Sequence, residues 1–178
     1  EIKIQRVRGV REVAFTIPEN LHEELYPLAW MVGTWRGRGQ GEYANIEPFE
    51  FLQEVVFNHD GQNYLNYFSR SWILDPETKE IVRPGAYETG FWRPKPNNVL
   101  EVLISHSIGI TEGWVGVVDG PRIQLAMDQG YSSPSAKIVT AGSRLYGLVE
   151  GELFFAYDMA AEGQVMQPHI WSSMQRQQ

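Results

Sequence analysis

From Gly33 onward the chain reads as one strand after another: short runs rich in β-branched and aromatic residues, bounded by polar turns. "EFLQEVVFN" (Glu50–Asn58) and "QNYLNYFSRSWIL" (Gln62–Leu74) flank His59-Asp60-Gly61, a good hairpin turn. "YETGFWR" (Tyr87–Arg93) stops at "PKPNN"; "VLEVLIS" (Val99–Ser105) and "GITEGWVGVV" (Gly109–Val118) follow. The last runs are "RIQLAM" (Arg122–Met127), "AKIVTAGSRLYGLV" (Ala136–Val149), "ELFFAYDMA" (Glu152–Ala160) and "QPHIWSSMQR" (Gln167–Arg176). With the strand that opens at Gly33, the pattern predicts an all-β protein of about ten strands. Short connections throughout suit a closed, up-and-down antiparallel barrel built by successive hairpins. A β-sandwich stays open as the alternative, because several strands are apolar on both faces and do not say which side is buried.

Before the strands the period changes. "PENLHEELYPLAW" (Pro18–Trp30) has Pro18 and Asn20 as helix-start signals, Glu23 and Glu24 in the first turn, and Leu21, Leu25 and Leu28 at helical spacing. Pro27 limits it to one or two short turns. Residues 1–17 form an arm ahead of a single domain at 18–178. The arm carries Lys3, Arg6, Arg8 and Arg11, which reads as a solvated basic terminus.

At 178 residues the chain is most simply one domain with a substantial core. Its 15 basic and 22 acidic residues give a net charge of −7, which argues against nucleic-acid or anionic-membrane partners. With no cysteine, disulfides, thiolate metal sites and covalent c-type haem attachment are excluded. No apolar run approaches the roughly 20 residues of a membrane span, and no signal peptide is visible, so a cytoplasmic location is the default expectation.

"GTWRGRGQGEY" (Gly33–Tyr43) has the glycine content of a phosphate cradle without its form. A P-loop ends in Gly-Lys-Ser/Thr and leads into a helix. Here Gly33, Gly37, Gly39 and Gly41 share one phase with Trp35 and Tyr43, and a strand follows. Alternate residues of a strand lie on one face, and glycine there permits bending or close approach of another chain.

"GTWRGRG" matches the Gly-x-Trp-x-Gly-x-Gly motif of the nitrobindins, small haem-binding β-barrels akin to the fatty-acid-binding proteins, and so resembles that family at Gly33, Trp35, Gly37 and Gly39. "YANIEPFEFLQEVVF", "ETGFWR", "SHSIGITEGWVG" and "MAAEGQVMQPH" are similar to family segments as well, so the likeness runs from about Leu28 to Arg176. It implies one haem b per chain with His169 as axial iron ligand. Asn45 stands where the family has a haem-contacting threonine, and Lys137 matches a lysine near the propionates. The resemblance further implies nitric oxide binding by ferric haem and isomerisation of peroxynitrite to nitrate, and it admits a homodimer. Two residues beyond the ligand this chain has Trp171 where the family has a small side chain. Residues i and i+2 of a regular strand share a face, so Trp171 is expected beside the macrocycle or within its pocket.

The other histidines, His22, His59 and His106, read as solvated surface, and none pairs with another at zinc-ligand spacing. No Gly-x-Ser-x-Gly elbow or prominent carboxylate pair supports hydrolysis. The second reading is a non-enzymatic carrier of fatty acids or another small lipophile. Such carriers often grip the carboxylate with an Arg-x-Tyr pair on the last strand. That pair is missing there, although "RLY" (Arg144–Tyr146) occurs earlier.

Overall fold

The computed structural model describes residues 16–178, so the basic arm lies, but for its last two residues, outside the described residues. Ten strands follow one 3-10 helix (Glu23–Met31): β1 (Gly33–Tyr43), β2 (Ile46–Asn58), β3 (Leu65–Leu74), β4 (Ile81–Pro94), β5 (Val99–His106), β6 (Ile110–Asp119), β7 (Arg122–Ser132), β8 (Val139–Val149), β9 (Glu152–Ala161) and β10 (Gln167–Arg176). Each strand pairs antiparallel with the next, and β1 also pairs with β10, which closes the barrel. The sandwich alternative is thereby removed. Most strands fall where the alternation places them; β4 starts at Ile81, six residues before the apolar run that marks it in the sequence.

The helix seals one end. Leu25, Leu28 and Met31 are fully buried beneath the strands. Its start is not Pro18 or Asn20 but His22, whose Nδ1 accepts the Glu24 N–H at 3.2 Å. Asn20 sits at φ +59° in the preceding turn. The Trp35 indole N–H donates to the Met31 carbonyl at 2.8 Å, and Arg176 stacks 4.3 Å from the Trp35 ring while donating to the Trp30 carbonyl at 2.6 Å. Both strands of the β1–β10 seam are therefore tied to the plug at the end where Trp35 faces Arg176. No helix is long and apolar enough to cross a membrane among the described residues.

The inward face of β1 carries the glycines, as its phase predicts. A Cβ on Gly37 would stand 1.8 Å from the Ser173 carbonyl oxygen and 2.7 Å from Met174 Cα. At Gly39 it would strike the Phe51 ring at 2.3 Å. The glycines let β10 and the β2 phenyl rings close over β1. Backbone cannot step aside as a side chain can, so Gly37→Ala is expected to cost about 1–3 kcal/mol. Thermal unfolding should show a midpoint several degrees lower; an unchanged midpoint would mean the seam adjusts freely.

Candidate functional site

Inward side chains near the helix, such as Phe57, Leu65, Trp92, Ile123, Leu153 and Met174, have no exposed surface. Towards the other end the inward positions Phe49, Met127, Met159 and Ile170 are only half-buried. The barrel is packed solid below and open above. His169 lies at this open end.

A register break sets its direction. Pro168 pairs with Asp158 and Ile170 with the adjacent Tyr157, so His169 is an extra residue in β10. In such a bulge two consecutive side chains lean to the same side. The imidazole stands edge-on to Tyr43 at 5.4 Å and to the buried Tyr157 at 5.9 Å. Its Nδ1 lies 3.0 Å from the Glu42 carbonyl oxygen, which can only accept, so the proton is on Nδ1 and the Nε2 lone pair is free. Burial lowers the His169 pKa, and Lys137 lowers it further against the opposing pull of the Glu42 hydrogen bond. The neutral, ligating form is favoured. Tyr43 is itself fixed, its hydroxyl accepting the Ala161 N–H at 2.8 Å.

Asn45 is exposed in the β1–β2 turn, and Lys137 is exposed in the β7–β8 loop, its carbonyl accepting the Ser132 hydroxyl at 2.9 Å. Both lie at the open end with His169. Gly33 and Trp35 belong to the sealed end, and Gly37 and Gly39 to the seam, so the glycine motif shapes the wall and does not line the mouth.

Trp171 is the main correction. The bulge shifts the phase of β10 by one residue, which puts Trp171 on the face opposite His169. It is 37% exposed and lines an outer groove of about 910 Å³ with Arg38, Gln40, Leu145, Phe154 and Ala156. The groove lies on the outside of the wall, away from the His169 face. Trp171→Ala is therefore expected to leave haem affinity unchanged and to cost only about 1 kcal/mol of stability, as for a partly exposed side chain. Haem titration and thermal unfolding of the variant check both; tighter haem binding would show that the indole does reach the interior.

The interior also holds a charged cluster that the alternation of strands concealed. The Arg144 guanidinium, with no exposed surface, donates to both carboxylate oxygens of Glu88 at 2.9 and 2.9 Å. Tyr67 donates to Glu88 at 2.8 Å. His106 is not solvated surface: its side chain is 10% exposed and bridges Glu112 at 2.9 Å and Glu88 at 3.5 Å. Nor are His22 and His59 freely exposed, since His22 caps the helix and both are half-buried. Burial pushes the Glu88 carboxyl up, but Arg144 and then His106 outweigh it and hold it at about 2. Glu88 and Arg144 each share the phase of inward apolar neighbours, Gly90 and Trp92 or Tyr146 and Leu148. A charge in phase with buried positions was the available signal.

Set against known proteins, residues 24–176 match the model of the THAP4-like, heme-binding β-barrel domain. The chain belongs to the nitrobindin family. It is 47% identical to a peroxynitrite isomerase of Nocardioides sp. over 92% of this chain and 99% of the relative. It is 37% identical to a ferric nitrobindin-like protein of Cutibacterium acnes over 91% and 98%. The crystal structure of Rv2717c from M. tuberculosis superposes with a TM-score of 0.78 at 35% identity, covering 89% of this chain and 99% of that one. Nitrobindin-family membership makes haem the group to test against the open end. The donor set fits: one neutral imidazole with a free Nε2, half-buried apolar side chains beneath it, and Lys137 at the rim.

Proposed function

We propose that this chain is a haem-dependent peroxynitrite isomerase. One b-type haem per chain would sit in the open half of the barrel with His169 Nε2 as axial ligand. The observation that carries this reading is the bulged His169, turned inward with its proton fixed on Nδ1 by the Glu42 carbonyl. Without cysteine the haem is held by coordination and packing alone.

Held there, a ferric haem would supply Lewis-acid chemistry towards nitric oxide or peroxynitrite. The chain supplies the rest. Glu42 and the two tyrosine edges hold the imidazole in one orientation, the kind of support that tunes a metal ligand. Phe49, Met127, Met159 and Ile170 would give a bound haem an apolar lining, the kind of surrounding that limits the access of water to the reacting group. Peroxynitrite and nitrate contain the same atoms, so the reaction needs containment, with no net proton or electron. Lys137 and Asn45, at the rim, would meet the propionates and the haem edge.

Two measurements test this. Haem titration should give a saturable Soret change at one haem per chain. Stopped-flow mixing of the loaded protein with peroxynitrite should accelerate decay to nitrate beyond an equal concentration of free haem. Equal rates would reduce the protein to a haem holder, and no stoichiometric binding would remove the reading altogether.

A further inference from the structure

We propose that the barrel interior contains a preformed carboxylate-binding site, built by Arg144, Tyr67 and Tyr146, which the chain fills with its own Glu88. Glu88 thereby acts as a specificity-determining residue that excludes fatty acids and other carboxylate lipids from the interior.

The donors match a carboxylate. Arg144 presents both Nη atoms as a fork to the two Glu88 oxygens, the bidentate geometry guanidinium favours. The Tyr67 hydroxyl adds a third bond to the same group, and Tyr146 takes a hydrogen bond from Arg144 at 3.3 Å. Glu88 comes from β4 and Arg144 from β8, which are not neighbours in the barrel, so the pair spans the interior. Arg144-Leu145-Tyr146 is thus the arrangement a lipid carrier would need, already occupied.

The cation does not depend on Glu88 for its place. Its guanidinium rests against the Trp114 ring at 4.9 Å and the Tyr157 ring at 4.8 Å, two rings packed edge to face, with Phe155 at 5.7 Å. Rings from two strands, β6 and β9, therefore hold the fork where it is. Glu112 does not substitute for Glu88: it is 3.9 Å from Arg144 and is engaged by His106 and by the Trp114 indole N–H at 3.2 Å. Truncating Glu88 would leave a buried guanidinium and a phenol donor facing a vacated carboxylate-sized space. A cation in such surroundings demands an anion. Arg144 Nε, buried and without a partner, leaves one more donor near the site.

The test uses full-length Glu88→Ala, with and without haem, so that its outcome is separate from the fate of the His169 reading. Thermal unfolding is followed in sodium formate or acetate against equal sodium chloride. Glu88→Ala should gain several degrees in a saturable way with formate or acetate. Wild type and Glu88→Gln, whose amide fills the space, should respond to all three salts alike. A fluorescent fatty acid should bind Glu88→Ala at least about tenfold more tightly than wild type. If Glu88→Ala does not fold in chloride, it is refolded with formate present. Recovery only in formate supports the site, and no recovery in any anion overturns it. Equal response of Glu88→Ala to chloride and carboxylates overturns it too. The double variant Glu88→Ala/Arg144→Met should lose the formate response, and a retained response would place the anion elsewhere. Formate rescue without any gain in fatty-acid binding would leave the anion site standing and defeat the exclusion claim, as would tight fatty-acid binding by wild type.

Discussion

Changing His169 to alanine is expected to abolish acceleration of peroxynitrite decay, bringing the rate down to that of free haem, and to weaken haem binding by about 100-fold or more. The reason is local. His169 offers an inward nitrogen lone pair at the open end, with the second ring nitrogen already committed to Glu42. Stability should change by only about 1 kcal/mol, since the side chain is half-buried at a bulge and alanine fits any strand. Added imidazole should restore part of the Soret spectrum of the variant by occupying the vacated position. His106→Ala is the contrast: it removes the bridge between Glu88 and Glu112 and should lower stability while leaving haem ligation intact. Full activity in His169→Ala, or loss of the haem spectrum in His106→Ala alone, would assign the ligand to the wrong histidine.

Arg144→Met is expected to destabilise the barrel by about 3–5 kcal/mol, because it takes the guanidinium partner from a buried carboxylate. Denaturant unfolding should then show recovery of most of that loss in Glu88→Gln/Arg144→Met, in which no unpaired charge remains. The same pair governs acid behaviour. The folded Glu88 carboxyl is held at about 2, below its ordinary value of 4.5, so its contribution is complete above about pH 4.5 and is lost as the pH falls towards 2. Stability measured from pH 6 to pH 2 should fall less steeply in Glu88→Gln than in wild type. Identical acid profiles would mean the pair is not what acid disrupts.

The strands of the barrel were legible because each is announced locally. Apolar and β-branched runs between turns such as Val118-Asp119-Gly120-Pro121 need no distant partner to be recognised. The glycine phase of β1 was legible for the same reason: residues 33, 37, 39 and 41 share a face in any extended strand. The likeness to the nitrobindins, carried by the Gly-x-Trp-x-Gly-x-Gly run and the Gln-Pro-His segment, pointed at His169, and the family match agrees with that likeness over residues 24–176.

The direction of side chains around the site was a different matter. Counting by twos puts His169 and Trp171 on one face, whereas the extra residue in β10 against Asp158 and Tyr157 puts them on opposite faces. A bulge is chosen by the register between two strands, and register is a property of the pair. The Glu88–Arg144 contact, 56 residues apart, likewise exists only once the barrel has closed and brought β4 opposite β8. By itself the sequence determined the number of strands, the glycine-lined first wall, and the histidine on the last strand, because period and turn chemistry act over a few residues. Only the tertiary structure decided that His169 turns inward, that Trp171 stays outside, and that a charged cluster lies in the core, because pairing register and barrel closure couple residues that are far apart along the chain.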